Sequence, residues 1–229
     1  MTKATSALIS QTASFLGQDT VPVLEELREC PNSEWYLREK IVKADHDSRR
    51  NNTRVLKYAA MLVKLGAAPA FIRETVVGKS PDLRAAWDGT EFFIEVKNFP
   101  MLPGAGSSHA AAKIADAIVE ARSQLPLGAP GLVAIDNFNP RLEPAAKYQE
   151  IESAFSEVER RARENPDRWQ QPGGVILSAC SYVGARPMEP PDYLWSNPVA
   201  DPSLPEQMML WLKGGLTNVR RYRPGRSVN

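Results

Sequence analysis

Two acids and a lysine stand where a hairpin gathers them. From Ser80 to Asn98 the chain reads S-P-D-L-R-A-A-W-D-G-T-E-F-F-I-E-V-K-N. Residues 83–87 and 91–97 have strand character. Asp88-Gly89 between them is a strong hairpin signal, because a type I′ turn needs positive φ at both central residues. Side chains alternate faces along a strand. Phe92, Ile94 and Val96 therefore point into a core, while Phe93, Glu95 and Lys97 share the other face. A spacing of two places an acid and a base together on one strand face. Asp82 heads the partner strand, where the hairpin folds it back toward Glu95. Two carboxylates at a sheet edge offer hard oxygens to a divalent cation, with the Lys97 ammonium alongside. The plainer reading is an exposed strand face on which Lys97 and Asp82 form a surface ion pair worth about 0–1 kcal/mol. A strand carrying Phe92, Phe93, Ile94 and Val96 is central in character, however, and central strands rarely carry charge without a use.

The elements that must position these residues are legible on either side. Residues 52–65 form the clearest helix, with Val55, Leu56, Ala59, Ala60, Leu62 and Val63 making a broad apolar stripe. Asn51 or Asn52 is its expected cap and Gly66 its end. Residues 70–77 alternate as a strand. Glu74 on that strand is either an extra ligand or acceptor at the site or an ordinary exposed carboxylate. Lys79, in the turn before Pro81, either meets phosphate or is solvated. Residues 98–108 hold two prolines and two glycines and read as a loop. A second helix spans 109–125, buried strands span 131–136 and 174–180, and a charged helix spans 144–164. The expectation is an α/β fold, a mixed central sheet flanked by helices.

Pro81-Asp82, followed thirteen residues after the aspartate by Glu95-Val96-Lys97, resembles the signature of the PD-(D/E)XK nuclease superfamily. Over about residues 50–180 the element order is similar to that superfamily's αβββαβ core, in its restriction-endonuclease-like and Holliday-junction-resolvase-like branch. The resemblance implies hydrolysis of phosphodiester bonds in nucleic acid, with DNA the first expectation. It implies Mg²⁺, for which Mn²⁺ substitutes, with Asp82 and Glu95 as ligands and the Val96 carbonyl as a third oxygen. Lys97 would stand beside the attacking water. By analogy Lys113, with His109 one turn before it, is the basic residue that the following helix brings to the site. Double-strand cutters of this kind often pair two copies, so a homodimer is also implied. The sequence departs from the pattern in one place. The first helix of the superfamily often begins with a metal-binding glutamate, and Asn51-Asn52-Thr53-Arg54 has no acid. One or two metals therefore remain open, and Glu39 replaces the missing acid only if the preceding helix folds back. Two rival classes stay alive: a nucleic-acid-binding protein that keeps the fold without turnover, and an interaction domain in which the motif is incidental.

Composition bounds the rest. The chain has 229 residues, 43% apolar and 24% charged, with a formal charge of +1. No global field draws it to nucleic acid, so contacts with phosphate would be local. Only His46 and His109 are present, which argues against a Ser-His-Asp triad or a His-rich zinc site. Cys30 and Cys180 are far apart in sequence. With no leader pattern and no bilayer-length apolar run, free thiols in a cytoplasmic protein are expected, with no membrane partner. Three regions are expected: a helical extension over 1–48, the nuclease-like α/β domain over 49–185, and an irregular proline-rich segment over 186–229. The last carries a basic tail of Arg220, Arg221, Arg223 and Arg226. Helices at 21–28 and 34–43 are read in the extension, and no chemistry is assigned there. Arg49-Arg50 reads as a solvated basic pair.

Overall fold

A computed structural model describes residues 3–73, 80–100, 107–138, 144–183, 186–188, 192–215 and 220–221. The helices are α1 (Lys3–Leu16), α2 (Val21–Leu27), α3 (Ser33–Tyr36), α4 (His46–Lys64), α5 (Ser107–Arg122), α6 (Pro144–Glu164) and α7 (Glu206–Gly215). The strands are β1 (Ala68–Phe71), β2 (Leu83–Trp87), β3 (Thr90–Pro100), β4 (Gly131–Phe138), β5 (Gly174–Val183), β6 (Arg186–Met188), β7 (Asp192–Ser196) and β8 (Arg220–Arg221). The fold is α/β with a mixed sheet, and α4-β1-β2-β3-α5-β4 runs in the expected αβββαβ order. Chain contacts divide it into two compact units, Met1–Ile94 and Glu95–Asn229, the division falling inside β3.

In the first unit β1, β2 and the start of β3 form an antiparallel meander, with Phe71 opposite Leu83 and Leu83 opposite Ile94. Asp88 and Gly89 have φ of 47° and 74°, the double positive φ that the Asp-Gly signal predicts. Phe71, Leu83, Phe92 and Ile94 are essentially inaccessible to water. The helices differ from expectation in three ways. First, α1 was not foreseen. Its buried stripe is Leu8, Ile9, Thr12 and Ala13, so its Ser-, Thr- and Ala-rich sequence offers little apolar contrast. Second, the 34–43 helix is α3 followed by a π-helix, Leu37–Val42. Third, α4 begins six residues before Asn52. Its cap is Asp45, whose carboxylate accepts from the Ser48 amide at 2.9 Å and the Ser48 hydroxyl at 2.7 Å. The first turns of α4 are polar because they tie down the π-helix. Asn52 Nδ2 donates to the Lys40 carbonyl and the Arg49 guanidinium donates to the Ile41 and Ala44 carbonyls. Arg49 also lies 4.2 Å from the Phe15 ring. It is a structural clasp, not the solvated cation expected.

In the second unit the hydrogen-bonded strand order is β3-β4-β5-β7-β8, and β6 pairs with β5. β4 and β5 are parallel, joined by α6 as a crossover; β7 is antiparallel to β5. Ile135, Val175, Ile176 and Leu177 are wholly buried, as parallel strands covered on both faces require. Two expectations fail here. The 98–108 loop is strand as far as Pro100, and α5 already begins at Ser107. A proline ends a strand readily, having no N–H to give the ladder. The segment after 186 is also less irregular than its prolines suggest. They flank β7 and α7 without interrupting them, and β7 buries Tyr193, Leu194 and Trp195. Within the basic tail, Arg220 and Arg221 form β8, parallel to β7.

α5 and α6 are laced by charge. Arg161 bonds Asp116 of α5 at 2.6 Å and Glu157 at 2.7 Å, and Arg160 reaches Glu157 at 2.8 Å. The Arg160 bond, with lesser help from Arg161, pulls the Glu157 carboxyl from the usual 4.5 down to about 2. A depressed acid stabilises the fold above its unfolded pKa, and that contribution is lost as pH falls toward the folded value. Glu157→Gln is therefore expected to flatten the fall in melting temperature between about pH 5 and pH 2. An unchanged acid profile would show the network to be idle.

Candidate functional site

Asp82 lies in the first unit. Its amide donates to the Ile94 carbonyl at 3.1 Å and its carbonyl accepts from the Ile72 amide at 3.0 Å. The aspartate backbone is thus fixed on both sides where β2 begins. Asp82 is half-buried, and Pro81 before it is buried. Leu83, which follows it, is the partner of Ile94.

Glu95, Val96 and Lys97 lie on β3 in the second unit. Lys97 Nζ lies 2.9 Å from Glu95 Oε1, with the lysine side chain 27% exposed and the glutamate side chain 4% exposed. The spacing of two brings acid and base onto one face, as the alternation predicts. The burial overturns the plain surface-pair reading for Glu95. Among the described residues it is one of very few charged groups at 3% exposure. An ionised carboxylate at that depth is costly unless paired and hydrogen-bonded. Val96 is buried with its side chain toward the core, at 8% exposure.

Of the remaining expected residues, Lys113 lies on α5, half-buried, one position before the fully buried Ile114. It makes no ion pair among the described residues. His109 lies in the same helix, its side chain outside the described ones, and Glu74 and Lys79 lie outside the described residues. Over residues 51–54, where the resemblance expects a glutamate, no acid appears, and Asn52 and Thr53 spend their side chains on the Lys40 and Arg49 carbonyls. Glu39 is held by Lys43 at 2.7 Å.

Among the described residues no group of three or more His, Cys, Asp or Glu gathers as for a metal cage. That composition disfavours zinc or calcium cages, which need more protein ligands. A pair of carboxylates with a backbone carbonyl suits Mg²⁺, which keeps most of its waters and takes one or two carboxylates beside a substrate phosphate. Carboxylates and a backbone carbonyl are donors of the chemistry that this ion takes. Also among the described residues, no helix is long and apolar enough to cross a membrane. Comparison of the chain with family models, with curated proteins and with solved structures gives no match.

Proposed function

We propose that the protein is a metal-dependent nuclease that hydrolyses phosphodiester bonds, in DNA before RNA. The observation that carries the reading is the buried Glu95 ion-paired to Lys97 on β3. A buried acid–lysine pair within a core strand has little value as a stabiliser, since apolar residues would do as well there. It has value where an anionic substrate must be met by fixed charge.

Asp82 and Glu95, with the Val96 carbonyl, are the residues that would hold Mg²⁺ or Mn²⁺, which supplies charge neutralisation at the scissile phosphate. Glu95 fixes the Lys97 ammonium on the strand face. Lys97 orients the attacking water and takes up negative charge that develops on the phosphate oxygens. The partly exposed lysine is the member of the pair that solvent and substrate can reach. Lys113, Glu74 and Lys79 are proposed as supporting contacts to substrate or to Lys97. The absence of an acid at residues 51–54, where the resemblance expects one, supports a single metal. A second copy of the chain, facing the other strand of a duplex, is the proposed assembly, and the cytoplasm the proposed compartment; the free thiol of Cys30 supports the latter.

Calorimetric titration with Mn²⁺ tests the site. Wild type is expected to bind one ion, and Asp82→Asn and Glu95→Gln are each expected to weaken that binding at least about tenfold, or about 1.4 kcal/mol. Binding unaltered by either substitution, or none in wild type, would remove the metal site from these residues.

A further inference from the structure

The helices of the first unit build a recess of about 470 Å³ in the region to which the sequence assigns no chemistry. Its frame is rigid. The Phe71 amide donates to the Pro31 carbonyl at 3.1 Å, and Asn32 Nδ2 donates to the Phe71 carbonyl at 2.7 Å. Asn32 has φ of 64°, a left-handed conformation that asparagine tolerates better than most residues. Tyr36 stacks on Phe71 with ring centroids 4.4 Å apart. Together these contacts lock α3 to the end of β1. They thereby set Arg73, two residues beyond the strand, against Trp35, with its guanidinium 5.5 Å from the indole. Arg38 joins the lining from the π-helix. Such segments are rare and occur frequently at functional sites.

Charge in the recess is unevenly spent. Arg28 is engaged by Glu25 at 3.3 Å and Glu29 at 3.0 Å. Of the lining acids, Glu34 accepts from the Thr5 hydroxyl and Glu39 is held by Lys43. Arg38 and Arg73 are exposed and make no ion pair among the described residues. Cys30 also lines the recess, but burial, and then Glu29, push its thiol pKa up. It is therefore a poor nucleophile, and the recess is suited to binding and not to covalent chemistry. Guanidinium groups take phosphate oxygens through a planar fork. An aromatic ring beside them offers a flat surface to a base.

We propose that this recess binds a nucleotide of single-stranded nucleic acid, Arg38 and Arg73 holding its phosphate and Trp35 packing against its base. This holds whether or not Asp82, Glu95 and Lys97 cleave.

The test is fluorescence anisotropy of the full chain with a labelled short oligothymidylate over a salt series. Wild type is compared with Arg38→Ala/Arg73→Ala, with Arg38→Lys/Arg73→Lys and with Trp35→Leu. The alanine pair, at exposed positions, is expected to bind at least about tenfold more weakly. Its logarithmic salt slope should be shallower by about 0.7, the value for one single-strand phosphate contact. The lysine pair should recover part of the loss. 5′-AMP should compete better than inorganic phosphate, and that advantage should shrink in Trp35→Leu. Affinity of the alanine pair within twofold of wild type, or no oligonucleotide binding by wild type, overturns the proposal. Equal competition by 5′-AMP and inorganic phosphate overturns the role given to Trp35.

Discussion

Lys97→Met is expected to lower phosphodiester cleavage at least about 10²-fold, the cost typical of removing one preorganised charge-stabilising group, and to destabilise the fold as well. The second effect follows from Glu95. With its carboxylate side chain 4% exposed, loss of the ammonium at 2.9 Å takes a neighbouring countercharge from a carboxylate largely withdrawn from water. Breaking a fully buried pair costs about 3–5 kcal/mol. Lys97 is 27% exposed, so water already shares its charge and a cost nearer about 2 kcal/mol is expected. The double variant Glu95→Gln/Lys97→Met removes the buried charge as well and leaves an amide beside a thioether. It should regain most of the stability in denaturant unfolding, because replacing both members of a buried pair is often near neutral. It should regain none of the cleavage. Recovery of stability without activity separates a functional pair from a structural one. A Lys97→Met protein as stable and as active as wild type would show the pair to be ornament.

Phe92→Ala is expected to cost about 3–5 kcal/mol. Phe92 is fully buried on β3, and its cross-strand partner in the register is Ala85. An alanine facing an alanine leaves a cavity that a paired backbone cannot collapse to fill. For a chain of this size the melting temperature should fall by about 10 °C, from about 2–4 °C per kcal/mol. The control is Leu127→Ala. Leu127 is 89% exposed, and its truncation should stay within about 0.5 kcal/mol of wild type. If Phe92→Ala melted like that control, β3 would not be the core strand that holds Glu95 and Lys97 in place.

The parts of the fold that local chemistry dictates were legible. Asp88-Gly89 admits few other conformations, and its two positive φ angles are those expected. Helix 144–164 carries its own stripe and keeps the same limits in the structure. Glu95 and Lys97 share a face because period two allows nothing else. What was not legible depends on distant partners. The π-helix at Leu37–Val42 has no local signature; it is held by Arg49 and Asn52, which gather its carbonyls from α4. The early start of α4 was hidden for the same reason, since its first turns present polar groups to a neighbour. β7 was obscured by prolines that turned out to flank it. Arg73 and Trp35 lie nearly forty residues apart in sequence, and the contacts of Phe71 with Pro31, Asn32 and Tyr36 bring them together.

The most direct measurement of the central claim is cleavage of supercoiled plasmid and of labelled single strands by wild type and Asp82→Asn, with Mg²⁺, with Mn²⁺ and with EDTA. The predicted result is cutting by wild type with either metal, abolished by EDTA and by the substitution, while Asp82→Asn keeps the wild-type melting profile. Cutting that survives EDTA, cutting retained by Asp82→Asn, or no cutting of any substrate by wild type would contradict it.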